Sequence, residues 1–182
     1  MINPDPATIE DILNSSTLYI VPKYQRDYAW GKSEALEFLE DLKSYSETKS
    51  ASLFLGSIIF DTSERKKGIK VVDGQQRLTT ILLLLVACRE QAKQINATRI
   101  AEKIQEKITF EDPTTAEVLG PRLQVSESIS DIFGEMCKYE WNETFPTKIG
   151  KKPIKRQVNR IAPTYKFFCD EIKGFNQTQL SK

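Results

Sequence analysis

The longest apolar run of the chain, Ile81 to Cys88 (ILLLLVAC), lies just beyond a polar cluster, Asp73-Gly74-Gln75-Gln76-Arg77, which itself follows the β-branched pair Val71-Val72. A segment that is apolar on every side of a helix has to be buried, so this helix is expected in the middle of the fold. Upstream, Thr8 with Ile9, Ile12 and Leu13 predicts a short capped helix, with Asp11 reaching back to the cap. Thr17 to Val21 reads as a strand stopped by Pro22. Ser33 is expected to cap a helix with Glu34 and Glu37 in its first turn and Leu36, Leu39, Leu42 and Tyr45 along one face. Leu53 to Phe60 (LFLGSIIF) predicts a buried strand with a close backbone neighbour at Gly56. After the solvated turn of residues 61–68, Ile69 to Val72 is expected to return as the second strand of an antiparallel hairpin.

Further along, Ile100, Ile104 and Ile108 predict an amphipathic helix over residues 98–107, and Arg122 to Val125 a weak strand. Ser126 is expected to cap a helix carrying Ile129, Ile132, Phe133 and Met136. Thr144 to Lys155 reads as an exposed loop, with Lys148, Lys151, Lys152 and Lys155 in it. A last helix includes Tyr165, Phe168, Cys169 and Ile172, with Pro163 at its start or at a kink, before a polar tail from Asn176. Strands early and helices late predict an α+β fold rather than a doubly wound sheet.

At 182 residues the chain is one domain, or one domain plus part of a second. A net charge of +1 means that no global basic field draws nucleic acid; a phosphate contact must come from a local patch. The absence of histidine removes Ser-His-Asp and Cys-His pairs, histidine zinc sites and any nuclease centre with a histidine base. Cys88, Cys137 and Cys169 are odd in number and widely spaced in apolar contexts, which fits buried free thiols in a reducing cytoplasm. No signal-peptide pattern opens the sequence, and eight apolar residues fall well short of the ~20 of a membrane span, so a soluble cytoplasmic protein with no membrane partner is expected.

The chemistry concentrates where the second strand meets the central helix. The first turn of a helix has backbone N–H groups without internal partners and a partial positive charge. Gly74 allows close approach of a ligand, and Arg77 offers a planar fork matched to phosphate oxygens. Together they suggest an anion site of phosphate size. Asp73 would repel a bare anion; it fits if it holds a divalent cation, orients a water, or caps the helix. The same composition is also explained by an N-cap, a tight turn and solvent-facing polar residues. A second junction, Val21 to Trp30 (VPKYQRDYAW), sets Lys23 and Arg26 among Tyr24, Tyr28 and Trp30, which can stack a base and contact its phosphates. The plain alternative is that these aromatics anchor the core.

VPKYQRDYAW, FLGSIIF and VVDGQQRLTTILLLL, in that order and spacing, resemble the N-terminal domain of GmrSD-type modification-dependent restriction endonucleases, which SspE-like antiphage proteins share. The likeness is clear over about residues 5 to 90; RLQVSESISDIF and NRIAPTYKFF look like its helical continuation. The resemblance implies a ParB/sulfiredoxin-like domain over 1–95 with a small, mainly antiparallel sheet, followed by a helical segment over 96–182. It also implies a prokaryotic defence protein that binds and hydrolyses a nucleoside triphosphate with Mg²⁺, senses DNA that can be modified, and regulates an HNH-type nuclease domain or subunit. Carried over by position, Asp73, Gln75, Gln76 and Arg77 would be catalytic, with Asp73 the metal ligand. Gly74, Arg77, Thr79, Gln25 and Arg26 would bind the nucleotide phosphates, and Lys23, Tyr24, Arg26, Tyr28 and Trp30 would contact DNA. Having no histidine, the chain cannot hold an HNH centre, so an N-terminal piece or a stand-alone regulatory subunit is expected. A DNA-binding module without hydrolysis and a protein-interaction module with a degenerate site are the two competing expectations.

Overall fold

The computed structural model describes residues 7–14, 17–48, 53–64, 68–112, 115 and 117–181, without side chains for 46–48. Its centre is the helix Gln75–Gln94 (α3 in chain order), in which Leu78, Ile81, Leu82, Leu83, Val86 and Ala87 are all buried. The all-round apolar pattern thus produces the expected result: neighbours cover α3 on several sides. It packs against α4 (Thr98–Ile108) and α6 (Lys155–Ile172), and α2 (Lys32–Thr48) lies on α6. The short α1 (Ile9–Asn14) lies on α4, and α5 (Ser130–Met136) on α6. One hydrophobic cluster runs from Ile12 to Ile172 and therefore includes residues on both sides of position 95.

Against this helical layer lies a four-stranded sheet in the order β2-β3-β1-β6, made of β1 (Tyr19–Ile20), β2 (Ile59–Asp61), β3 (Ile69–Asp73) and β6 (Leu123–Gln124). Tyr19 pairs with Ile69 on one side and Leu123 on the other, and all three are buried, so this row is the sheet's contribution to the core. The β2–β3 pairing is antiparallel, as the hairpin reading requires, and β1 is parallel to both its neighbours. Two antiparallel ribbons complete the fold: β4 (Thr109–Glu111) with β5 (Val118–Pro121), and β7 (Lys148–Ile149) with β8 (Lys152–Pro153). The architecture is α+β.

The local signals hold in part. Thr8 and Asp11 exchange the expected hydrogen bonds at the start of α1. At α2 the start moves: Glu34 reaches back to the Gly31 N–H and also accepts from Ser33, and the first helical bond runs from Ala35 N–H to Gly31 C=O. The expected strand over residues 53–60 shrinks to Ile59–Asp61, because Gly56 at φ 90° takes the chain out of an extended path. Helix α5 begins at Ser130, after Ile129 rather than Ser126, whose hydroxyl pairs instead with Ser128. The expected loop over residues 144–155 contains the β7–β8 ribbon. Pro163 lies inside α6, and the polar tail carries α7 (Gln177–Leu180), boxed by Asn176 and Gln179. Cys137 is buried and Cys88 and Cys169 are half-buried; all three are free thiols. No helix among the described residues is long and apolar enough to cross a membrane.

Candidate functional site

Strand β3 ends at Asp73, and Gly74 turns the chain at φ 85°, ψ 8°, a left-handed conformation that glycine adopts without penalty. A second constraint also demands glycine: a Cβ here would sit 2.9 Å from Ile58 Cγ1 and 3.1 Å from the Ser57 carbonyl oxygen. No side chain caps α3, and the first helical hydrogen bond runs from Leu78 N–H to Gly74 C=O. The amides of Gln75, Gln76 and Arg77 therefore precede the helical ladder, at the positive end of a helix 20 residues long.

The glutamines face inward. Gln76 is 5% exposed and uses both ends of its amide: Nε2 donates to Asp27 C=O at 3.0 Å, and Oε1 accepts from Ala29 N–H at 2.9 Å. Gln75, also buried, donates to Arg26 C=O at 2.8 Å and more weakly to Gln25 Oε1 at 3.4 Å. Gln25 in turn donates to Val72 C=O at 2.5 Å. These bonds pin the 22–31 loop to the start of α3. The loop is also tied to α6, where Arg160 Nη1 meets Asp27 Oδ2 at 2.6 Å and Thr164 Oγ1 donates to Trp30 C=O at 2.9 Å.

Arg77 takes the opposite direction, onto the 53–58 segment. Its guanidinium lies over Gly56, so close that a Cβ there would be 2.5 Å from Nη2, and Nη1 donates to Ser57 C=O at 3.1 Å. Gly56 was expected to have a close backbone neighbour; the neighbour is this side chain. The arginine is half-buried, and no carboxylate among the described residues pairs with it. Arg26 and Asp73 are exposed, and neither has a side-chain partner among the described residues. Tyr24 is 74% exposed. Lys23 reaches Glu127 at 3.1 Å, but with side chains 91% and 83% exposed that pair contributes little.

The residues named from the sequence thus separate into two groups. Asp73, Gly74 and Arg77 lie at the start of α3, and Gln75 and Gln76 fasten to it the loop that carries Lys23, Tyr24, Gln25 and Arg26. Tyr28 and Thr79 do not reach the surface: both are buried, and the Tyr28 hydroxyl meets Thr80 Oγ1 at 2.8 Å. Burial pushes the Tyr28 phenol up, against the lowering effect of that hydrogen bond. Trp30 is half-buried and packs against the core. Tyr28 and Thr79 are corrections to the surface roles expected of them: Tyr28 is an aromatic anchor of the pinned loop, and Thr79 lies on the inward side of α3. Ser57 and Arg160 also belong to this arrangement, and nothing in their local sequence signals contacts with Arg77 and Asp27, 20 and 133 positions away.

Among the described residues no group of three or more His, Cys, Asp or Glu side chains could hold a metal ion, so Asp73 belongs to no such group. Two surface clefts lie elsewhere. One, of about 180 Å³, is lined by residues that include Gln94, Glu143 and Cys169; the other, of about 560 Å³, lies between β5 and α5.

Residues 9–182 match the family described as GmrSD restriction endonuclease, N-terminal domain. No curated protein matches the chain.

Proposed function

The chain belongs to the GmrSD restriction endonuclease N-terminal domain family, and from that premise we propose that it binds and hydrolyses a nucleoside triphosphate at the start of α3, as the regulatory part of a DNA restriction system. The observation that carries this reading is the uncapped first turn of α3 behind left-handed Gly74, with the half-exposed guanidinium of Arg77 beside it. Amides and helix dipole supply a cradle for phosphate oxygens, and Arg77, bound to Ser57 by one nitrogen, has further donors for them. Arg26, held next to the helix start by the Gln75 bond to its carbonyl, is the second cation. Arg77 would act by offsetting charge that develops on the transferred phosphoryl group. Mg²⁺ bound with the triphosphate would neutralise phosphate charge. Asp73 fits as its one protein carboxylate, since Mg²⁺ commonly takes one or two carboxylates together with phosphates and water. Gln75 and Gln76, which the resemblance made catalytic, enter this proposal as positioning residues.

The strand–turn–helix unit of β3 and α3 is what a ParB/sulfiredoxin-like fold would use for this purpose, and we propose that kinship with the function. A second reading, a DNA-binding module without hydrolysis, is favoured by the exposure of Lys23, Tyr24 and Arg26 on the pinned loop. The same loop would serve DNA that is modified or plain, and a nuclease domain of HNH type would do the cutting.

A thermal-shift series with four nucleoside triphosphates and Mg²⁺ comes first, because a ligand of the folded state must raise the midpoint. Calorimetry and a phosphate-release assay on Arg77→Ala follow, with Arg77→Lys as the variant that keeps the charge. Binding lost in Arg77→Ala and partly restored in Arg77→Lys supports the site. Unchanged nucleotide binding by Arg77→Ala refutes it, and salt-dependent DNA binding with no nucleotide response favours the second reading.

A further inference from the structure

We propose that Phe54 is the residue that stacks on the base of the nucleotide whose phosphates lie at the start of α3, an inference that rests on the reading above. Phe54 is 82% exposed, the most exposed of the large hydrophobic side chains among the described residues. A single exposed hydrophobe on a surface is ordinary; its position gives this one a meaning. It stands two residues before Gly56, which the Arg77 guanidinium covers. Two residues of chain span at most about 7 Å, so the Phe54 backbone lies within that distance of the glycine on which the guanidinium rests. That segment is fixed to the helix start twice, through the Arg77 bond to Ser57 C=O and through the contact of Gly74 with Ser57 and Ile58.

A nucleotide has two chemically unlike ends. Its phosphates need amides and cations, which Gly74–Arg77 and Arg26 supply. Its base needs a flat apolar face, and none of the buried rings of the neighbouring loop is available for it: Tyr28 is buried and Trp30 is packed on the core. Two exposed rings stand on the segments bonded to the start of α3, Tyr24 on the 22–31 loop and Phe54 on the 53–58 segment. Tyr24 travels with Lys23 and Arg26, on the segment fastened by Gln25 and Gln75. Phe54 travels with the seat of Arg77 and is thus the ring linked to the phosphate-side guanidinium. A phenyl ring has no hydrogen-bonding group, so its grip is tolerant of base identity and favours the larger purine face.

The test compares an adenosine or guanosine triphosphate, inorganic tripolyphosphate and a short single-stranded DNA, each by calorimetry with Mg²⁺ on the full chain. The expected result for Phe54→Ala is unchanged affinity for tripolyphosphate and roughly 5- to 150-fold weaker binding of the nucleoside triphosphate. Phe54→Trp should restore it. Because the side chain is exposed, the substitution leaves folding intact, which the thermal midpoint checks. Wild-type protein that binds tripolyphosphate as tightly as the nucleotide overturns the proposal, as does Phe54→Ala with full nucleotide affinity; both results keep the Arg77 site. A loss confined to the DNA arm also overturns it, and failure of wild type to bind any phosphate compound removes both readings together.

Discussion

Gln76 holds the 22–31 loop by two complementary bonds, giving a hydrogen to Asp27 C=O at 3.0 Å and taking one from Ala29 N–H at 2.9 Å. The side-chain amide supplies a donor and an acceptor at once, which is a structural reason for a glutamine on the first turn of the central helix. Asp27 and Ala29 are themselves exposed, so water can partly replace the lost partner. Gln76→Ala should therefore lower stability by about 2 kcal/mol, a midpoint shift of roughly 4–8 °C in a chain of this size. Gln76→Glu should be worse at neutral pH, because a buried carboxylate then faces a carbonyl oxygen. Urea unfolding of both variants checks the order; equal stability of Gln76→Ala and wild type contradicts the clamp.

Gly56 and Arg77 form the second relationship at the site. An alanine at 56 would place a methyl 2.6 Å from Arg77 Cζ and would sit at φ 90°, where an L side chain is strained. The guanidinium is the flexible end of a side chain and can give way; the backbone strain cannot be avoided. Gly56→Ala is expected to cost about 1–2 kcal/mol of stability and to displace Arg77, weakening nucleotide or phosphate binding. A double-mutant cycle with Arg77→Ala isolates the coupling: once the guanidinium is gone, Gly56→Ala should add little further loss of binding. Fully additive losses in binding would show that Gly56 does not seat Arg77.

How far the sequence disclosed this arrangement depends on the range of the forces involved. The burial of α3 was legible, because an apolar run on all sides of a helix has one physical outcome, and so was the Thr8–Asp11 box, whose partners are three residues apart. The polar string before α3 announced that something unusual was there, but not its use. Gln76 and Asp27 are 49 residues apart, and spacing cannot distinguish an amide that orients a water from one that binds distant backbone. Likewise VPKYQRDYAW reads as a stacking surface or as core anchors; the structure divides it, burying Tyr28 and exposing Tyr24. The β4–β5 ribbon was missed because Thr109–Glu111 and Val118–Pro121 are too short to show alternation, and Gly120 and Pro121 mimic a turn. The glycine in LFLGSIIF signals a close neighbour at Gly56, but the neighbour is the Arg77 side chain rather than backbone, and the strand is confined to Ile59–Asp61.

The thiols predict an alkaline limit to stability. Burial pushes Cys88, Cys137 and Cys169 each up to about 12, and it also raises Tyr28 and Tyr165. A folded-state pKa above the unfolded value means that the unfolded chain loses the proton first. The contribution is complete below the unfolded thiol value of about 9 and is lost as pH rises toward 12, at up to about 1.4 kcal/mol per pH unit per group. Urea midpoints should be level from pH 7 to 8 and fall steeply from 9 to 10.5. Cys137→Ala, which removes one titrating group, should flatten that slope while lowering stability at pH 7 through its cavity. At pH 8 Cys137 should react with a thiol reagent only at the rate of unfolding. Rapid labelling of the folded chain at Cys137, or a slope unchanged in the variant, would exclude this origin.

The two arginines of α3 show why one is available for a ligand and the other is not. Arg89 is fully buried, and its fork is saturated: Nε donates to Glu90 Oε1 at 2.7 Å, Nη1 to Gln105 Oε1 at 2.6 Å and Cys137 C=O at 3.3 Å, and Nη2 to Met136 C=O at 2.8 Å. The last two acceptors are carbonyls at the end of α5, so Arg89 caps that helix from the side. Arg77 has one such bond and is half-exposed. Arg89→Ala should remove about 3–5 kcal/mol, since it leaves buried carbonyls and Glu90 short of their donor. Arg89→Lys should recover only part of this, because an ammonium cannot reproduce the planar fork. Arg77→Ala, breaking a single bond near solvent, should cost about 1 kcal/mol or less in stability while abolishing anion binding. Urea unfolding and phosphate titration on the three variants separate these fates: a large stability loss in Arg77→Ala, comparable to that of Arg89→Ala, would make Arg77 a scaffold residue as well and remove the ligand role assigned to it.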